Sequence, residues 1–282
     1  MCSVNSRFAY KLVAVDLDGT LFDGECRVMP RSAEALRRLA DIGVQIAIAS
    51  GRRLGPVTLE AAECIGRPVY LVLCNGAKVV APDGKNQLLY RPVAPEDARW
   101  FIDTMCRRAK TYWLARDKEV DLLWKREDGA PNVPGISDDL LKLADSTEEI
   151  IAAAGADILR VRVWGSDEEI LSACEIATRF GLTADGFNYP GGGDSYIEVT
   201  GKGVSKASAL EFLAERLGIK MSEIMAFGDG SNDICMLRSV GHGVAMANAP
   251  DPVKSAARDV TASNHEEGVA EYIEKMLGYS TL

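Results

Sequence analysis

The stretch LVAVDLDGTLF, Leu12 to Phe22, ends a wholly apolar run in two aspartates, Asp16 and Asp18, followed at once by Gly19 and Thr20. Side chains at i and i+2 of a strand point the same way, so the two carboxylates converge unless the chain turns sharply between them. Like charges so placed repel, and a divalent cation among oxygen ligands is the simplest group that would hold them. Other polar residues also follow strand-like runs: Ser50 with Gly51 and Arg52 after VQIAIA, Asn75 after VYLVLC, and Asp229 with Asn232 and Asp233 after IMAFG. Lys206 opens a helical stretch. Three carboxylates around one point suit Mg2+, with waters and a phosphate oxygen completing its shell. A hydroxyl, a lysine and backbone N–H groups at helix starts are what a phosphate needs. Each feature alone has a plainer reading, as a turn, a loop entry, a solvated lysine or a helix cap. Their joint occurrence, in order and at strand ends, does not.

The elements that must position these residues follow from pattern. Leu12–Val15 reads as a strand buried on both faces of a parallel sheet. Pro30 opens a helix with Ala33, Leu36, Leu39 and Ala40 inward, stopped by Gly43. VQIAIAS, with Val44, Ile46 and Ile48 β-branched, and VYLVLCNGA are further strands, so strand and helix alternate as in a parallel sheet with right-handed crossovers. The same grammar resumes late in the chain, where YIEV is a strand, Ser205 to Leu217 a helix, IMAFGDG, GVAM and DVTAS further strands, and Glu267 to Leu277 a closing helix. In an open parallel sheet ligands bind beyond the carboxyl ends of the strands, where the polar residues fall. Between them, strand-like TYWLA, VDLLW and ILRVRVW mix with helices over Pro95–Ala109 and Asp167–Phe180. The turn-rich APDGK and YPGGGDS flank this block like hinges. The expectation is an α/β protein: a Rossmann-like parallel-sheet core over residues 1–84 and 193–282, with an α+β cap domain inserted at 85–192.

Bulk properties exclude some functions. The 282 residues carry a net charge of −9 and form no Lys/Arg cluster, which argues against a nucleic-acid surface. A hydrophobic content of 47% with 26% charged residues is that of an ordinary globular protein. No apolar run approaches a membrane span, and the N-terminal residues lack the apolar centre of a signal peptide. Seven scattered cysteines contain no C-x-x-C motif and make a poor disulfide framework. They read as free thiols, and the expected location is the cytoplasm. No G-x-x-x-x-G-K-[ST] occurs, and no G-x-G-x-x-G follows the first strand, so P-loop and dinucleotide sites are excluded.

Taken together, the motifs resemble the haloacid dehalogenase superfamily of phosphohydrolases, in its Cof-like branch with a large α/β cap. DLDGTLF is similar to that family's first motif, IASGR to its second, Lys206 in GVSKASAL to its third and GDGSND to its fourth. CNGA, AMANA and SNHEEGVA are also worded as in that branch. The likeness spans Asp16 to about Ala270, with the cap matched by position only.

The resemblance implies a Mg2+-dependent phosphohydrolase acting on a small phosphorylated metabolite, such as a sugar phosphate. Asp16 would be the nucleophile, forming an aspartyl-phosphate, and Asp18 the general acid and base. Mg2+ would sit on Asp16, the backbone carbonyl of Asp18 and Asp229, with Asp233 behind it. Ser50, Gly51, Lys206, Asn232 and Asn75 would bind the phosphoryl group or substrate. Ser50 stands where threonine is also common, and offers the same hydroxyl. A phosphomutase or phosphotransferase would use the same intermediate. A dehalogenase would leave Asp18 and Asp229 without a task, and a metabolite sensor would not need the full set of catalytic side chains.

In ILRVRVW, alternation puts Leu159, Val161 and Val163 on one face and Arg160, Arg162 and Trp164 on the other. Arg160 and Arg162 are therefore candidates for gripping substrate hydroxyls or a second anionic group. His242 and His265 belong to no ligand motif and read as structural.

Overall fold

The structure, a computed structural model, describes residues 8–105, 111–116, 121–125, 141–143, 146–153, 157–187 and 195–278. It divides into two compact units, one of Met1–Tyr90 with Ser205–Leu282 and one of Arg91–Val204.

The first unit is built on an eight-stranded sheet. Its central strand, β1 (Leu12–Val15), pairs in parallel with β2 (Gln45–Ala49) on one side and β12 (Ile224–Gly228) on the other. β3 (Val69–Leu73) continues the parallel set beyond β2, and β13 (His242–Ala245) and β14 (Asp259–Val260) continue it beyond β12. All four residues of β1 are fully buried, because both faces of the sheet are covered. Val13 and Val15 lie in one core with Ile46, Ile48 and Phe227, against helices α1 (Pro30–Asp41), α2 (Pro56–Ile65) and α9 (Gly268–Leu277). Leu12 and Ala14 lie in a second core with Ala47 and Ala226, against α6 (Lys206–Leu217) and α7 (Ile234–Ser239). The two cores clamp each strand from both sides, so the residues at its carboxyl end have a fixed origin.

Two boundaries differ from the sequence reading. β4 (Lys78–Val80) and β5 (Gln87–Tyr90) extend the first sheet as an antiparallel hairpin. APDGK is the turn of that hairpin, closed by the Ala81 N–H on the Asn86 carbonyl at 2.8 Å. Most of YPGGGDS lies outside the described residues. YIEV lies in β11 (Ser195–Lys202), which pairs with β9 (Ile158–Gly165) and β10 (Leu182–Phe187) in the second sheet and so belongs to the second unit. A short strand-like run carries no mark of which sheet it will join; its pairing partners decide that.

The second unit has a six-stranded sheet in the order β10-β11-β9-β6-β7-β8, where β6 is Thr111–Arg116, β7 is Asp121–Lys125 and β8 is Leu141–Leu143. It is antiparallel except for the β7–β8 pair. Val161 and Val163 pack with Phe101 and Ile102 of α3 (Pro95–Met105) and Ala173 and Ala177 of α5 (Asp167–Arg179). The register slips between Ala115 and Arg116, which pair with Arg160 and Ile158. Leu159 is the extra residue of this bulge, so Ile158, not Leu159, joins Val161 and Val163 in the core. Strict alternation along ILRVRVW fails at this point. Residues 106–109, expected to continue α3, lie outside the described residues. Among the described residues, no helix is long and apolar enough to cross a membrane.

Candidate active site

β1 ends at Val15, and the Asp16 N–H is still held by the Phe227 carbonyl of β12 at 3.1 Å. Asp16 therefore leaves the sheet in a fixed direction, 5% exposed. The chain then winds through an irregular turn over Leu17–Leu21, with Gly19 at φ +78°. A Cβ on Gly19 would lie 2.1 Å from Asp229 Oδ2, so glycine lets the turn press against the end of β12. The turn separates the two aspartates. Asp16 points inward, whereas Asp18 is exposed and taken by Arg52, whose Nε and Nη2 donate to its two oxygens at 2.7 and 2.6 Å.

Lys206 starts α6, behind Ser205, whose hydroxyl caps the helix by accepting from the Ser208 N–H. Its Nζ donates to Asp16 Oδ1 and Asp233 Oδ1, both at 2.7 Å, in a fully buried setting. Burial works against the lysine's charge, but the two carboxylates outweigh it and hold the pKa above the ordinary lysine value. Asp233 Oδ2 accepts the backbone N–H groups of Asp229 and Gly230 at 3.1 and 3.0 Å, which folds the loop after β12 back on itself. Asp229 accepts from the Thr20 hydroxyl at 2.9 Å.

Carboxylate oxygens of Asp16, Asp229 and Asp233 lie within 4.8 Å of one another. Burial pushes the Asp16 carboxyl well above its usual range, against the pull of Lys206 and with the help of Asp233 and Asp229. Burial likewise lifts Asp229 to about 6, with Asp233 adding to the rise and the Thr20 hydrogen bond opposing it. Hard oxygen donors whose charges cost free energy to hold together fit a divalent cation. Asp233 is tied by three donors, the Lys206 ammonium and two backbone N–H groups of its own loop, whereas Asp229 accepts only from the neutral Thr20 hydroxyl and Asn248 amide, so Asp16 and Asp229 are the better placed ligands.

Ser50, at the end of β2, is fully buried, with its N–H on the Val72 carbonyl and its Oγ accepting from the Arg52 N–H at 3.1 Å. Its hydroxyl proton has no acceptor among the described residues. Cys74 and Asn75 both adopt positive φ, +51° and +53°, at the end of β3. The Asn75 N–H reaches the Ser50 carbonyl at 3.2 Å, and Asn75 Oδ1 accepts from Asn232 Nδ2 at 2.9 Å. Gly76, at φ +98°, completes this turn; a Cβ there would lie 2.1 Å from the Ser205 carbonyl. The ends of β1, β2, β3 and β12 and the start of α6 are thus bonded into one cluster.

Arg160 and Arg162 lie in the second unit, both hydrogen-bonded to Glu198 Oε1. Arg160 is 4% exposed, and Arg162 lies over the rings of Trp164 and Tyr196. His242 is buried in β13, where Nδ1 meets the Tyr10 hydroxyl and Nε2 meets Asp259 and the Tyr272 hydroxyl. Its role there is packing and hydrogen bonding.

Four residues of this cluster have contacts that the sequence alone does not reveal. Thr20 and Arg52 stand within DLDGTLF and IASGR. Asn248, in AMANA, donates to the Gly19 carbonyl at 2.8 Å and to Asp229 Oδ2 at 3.3 Å. Asn264, in SNHEEGVA, donates its side chain to the Phe22 carbonyl at 2.9 Å. The available signal was position: both asparagines follow the ends of edge-side strands of the same sheet.

Comparison with known proteins agrees with this geometry. Residues 13–273 match the family model of haloacid dehalogenase-like hydrolases. The chain is 31% identical over 265 residues to the 5-amino-6-(5-phospho-D-ribitylamino)uracil phosphatase YcsE of Bacillus subtilis (strain 168), covering 93% of this chain and 94% of that one. It is 30% identical to the HMP-PP phosphatase of Serratia proteamaculans (strain 568), over 95% and 96% of the two chains. Among solved structures, the HAD phosphatase BT1666 from Bacteroides thetaiotaomicron is similar with a TM-score of 0.79 at 26% identity, covering 98% and 97%. The subclass IIB sugar phosphatase BT4131 is similar with a TM-score of 0.78 at 25% identity, covering 96% and 100%. A family match running through both halves of the first unit and across the second establishes that this chain belongs to the haloacid dehalogenase-like hydrolases, as a phosphatase of the Cof-like branch.

Proposed function

We propose that the protein hydrolyses a small phosphate monoester, such as a sugar phosphate, in a Mg2+-dependent reaction through an aspartyl-phosphate on Asp16. The observation that carries this reading is the set Asp16, Asp229 and Asp233, buried but for a half-buried Asp229, in which one lysine faces two of the three carboxylates. Asp16, the Asp18 carbonyl and Asp229 would hold the cation, which when bound supplies positive charge for the phosphoryl oxygens. Asp233 orients from behind, through Lys206 and the backbone N–H groups of its loop.

An Asp16 oxygen forms a bond to phosphorus as the bond from phosphorus to the substrate oxygen breaks. Asp18 gives its proton to the departing alkoxide. It then takes a proton from the water that attacks the phosphoenzyme and frees the Asp16 carboxylate. Arg52, which donates to both Asp18 oxygens in this structure, must release one of them before Asp18 can carry the proton it gives. The Ser50 hydroxyl, the Gly51 backbone, the remaining Lys206 N–H and the Asn232 amide, steadied by Asn75, would bind the phosphoryl oxygens. This division suits a reaction whose acceleration comes from positioning and charge stabilisation.

Support for a small substrate comes from the relatives, one named a sugar phosphatase and another a phosphatase of a ribitylaminouracil phosphate. Of the two cap arginines, Arg162 is the better candidate for specificity, because its side chain keeps 16% exposure while that of Arg160 keeps 4%. The test is phosphate release from an aryl phosphate across a Mg2+ titration. Chelation should abolish turnover, and Asp229→Ala should raise the metal requirement sharply. Full activity in excess chelator would overturn the metal assignment.

A further inference from the structure

The Asn248 amide touches both loops that the proposed metal site depends on, and its own orientation is fixed. Its Nδ2 donates to the Gly19 carbonyl at 2.8 Å and to Asp229 Oδ2 at 3.3 Å, while its Oδ1 accepts the Asn264 N–H at 3.0 Å. A flipped amide would put oxygen against two acceptors and nitrogen against a donor, so only one orientation fits. The residues just before Asn248 are tied to the loops on either side, with the Met246 N–H on the Gly228 carbonyl and the Ala247 N–H on the Ala262 carbonyl, and the Ala249 N–H closes the turn on the Met246 carbonyl. Asn264 is itself buried and bonded to the Phe22 carbonyl, at the far end of the turn that follows Asp16.

Asp229 therefore receives a donor on each oxygen: the Thr20 hydroxyl on Oδ1 and the Asn248 amide on Oδ2. Thr20 belongs to the turn after β1, and Asn248 to the loop after β13. These two strands flank β12, which carries Asp229, so the carboxylate is held from both sides of its own strand.

We infer that Asn248 is a positioning residue for the metal centre: with Thr20 it fixes the plane of the Asp229 carboxylate, and through the Gly19 carbonyl it locks the Asp16–Leu21 turn against it. This rests on the metal reading of Asp16 and Asp229 above. Ligands set by outer hydrogen bonds lose roughly ten- to a hundredfold in metal affinity when those bonds are removed. The 3.3 Å contact is long, which points to the lower end.

Asn248 is exposed, so Asn248→Ala should fold. Thr20→Val removes the other donor at nearly constant volume, and Thr20→Ser keeps it. Two readouts are needed on the full chain: the Mg2+ concentration for half-maximal aryl phosphate hydrolysis, and the Mg2+ concentration that half-completes the rise in melting temperature without substrate. Asn248→Ala and Thr20→Val should shift both by about tenfold. The activity deficit should narrow as Mg2+ is raised, and Thr20→Ser should stay near the parent. If the parent shows no Mg2+ dependence, the metal reading itself fails. If the parent depends on Mg2+ and Asn248→Ala keeps both midpoints, the positioning role fails. It fails equally if Asn248→Ala loses turnover at every Mg2+ concentration with unshifted midpoints, since the amide would then act on the substrate or the turn alone.

Discussion

In the first unit one lysine, Lys206, faces Asp16 and Asp233, with Asp229 close by; in the second, two arginines, Arg160 and Arg162, face the single carboxylate of Glu198. The two buried clusters are built differently. Arg162 and Glu198 are register partners in the middle of adjacent antiparallel strands, where a cross-strand pair forms without help from any turn. Asp16, Asp229 and Lys206 come from strand ends and a helix start whose backbones are fixed by apolar cores on both faces of the sheet. They cannot move apart to relieve one another, and the raised pKa values of Asp16 and Asp229 express first their burial and then the repulsion of neighbouring carboxylates. Charge left in conflict by a well-packed scaffold is where the proposed chemistry is placed, whereas charge resolved within a sheet face is first of all structure.

The largest expected effect is that of Asp16→Asn. An amide is a poor nucleophile, and turnover should fall on the order of 10⁴–10⁶-fold while the melting temperature holds. Retention of more than about a hundredth of the activity would remove Asp16 from the nucleophile's role.

Breaking either cluster at its shared centre should destabilise the protein. Lys206→Met leaves Asp16 and Asp233 buried without their cation, and Glu198→Gln leaves two guanidinium groups without their carboxylate. Each should cost about 3–5 kcal/mol in denaturant unfolding. The clusters part company at Asp229→Asn. That change relieves repulsion and should stabilise the metal-free protein by about 1–3 kcal/mol near pH 8, while removing activity. A loss of stability there would mean that the core cluster is not in conflict.

The same conflict fixes the sign of a pH dependence. Asp229, at about 6 when folded against 3.8 ordinarily, binds its proton more tightly in the native state than in the unfolded chain. The stability it contributes is present below the ordinary value and lost as pH rises through about 6, and Asp16 acts in the same direction. Relative to Asp229→Asn, metal-free parent protein should therefore lose stability between pH 4 and 6, and saturating Mg2+ should reverse that difference. A parent that gains on Asp229→Asn across this window would contradict the assigned shift.

The smallest effect concerns the second unit. Arg162→Ala should reduce kcat/KM for a well-recognised metabolite by about tenfold and leave a small aryl phosphate nearly untouched. Equal losses on both substrates, or none, would leave Arg162 with only its structural pair.

The core was legible because its signals are local. A fully apolar LVAV can only be a strand buried on both sides, and a polar residue at its end must emerge at the ligand-binding edge. Lys206 could be placed because Ser205 and Gly218 bracket its helix. Asn248 and Asn264 were not legible as site residues, since their roles depend on loops that meet only when β13 docks beside β12. Glu198 was missed for a related reason: its task is set by register with β9, which no short-range pattern encodes. The bulge at Leu159 likewise reflects pairing with β6, not any turn residue in ILRVRVW.

The central claim, covalent transfer through Asp16, is tested most directly by the stereochemical course at phosphorus, using a phosphate monoester made chiral with oxygen isotopes and a competent acceptor alcohol, or the corresponding chiral phosphorothioate in isotopically labelled water. Two successive in-line displacements predict net retention of configuration. Net inversion would mean that water attacks the substrate directly, and the account built on Asp16 would be wrong.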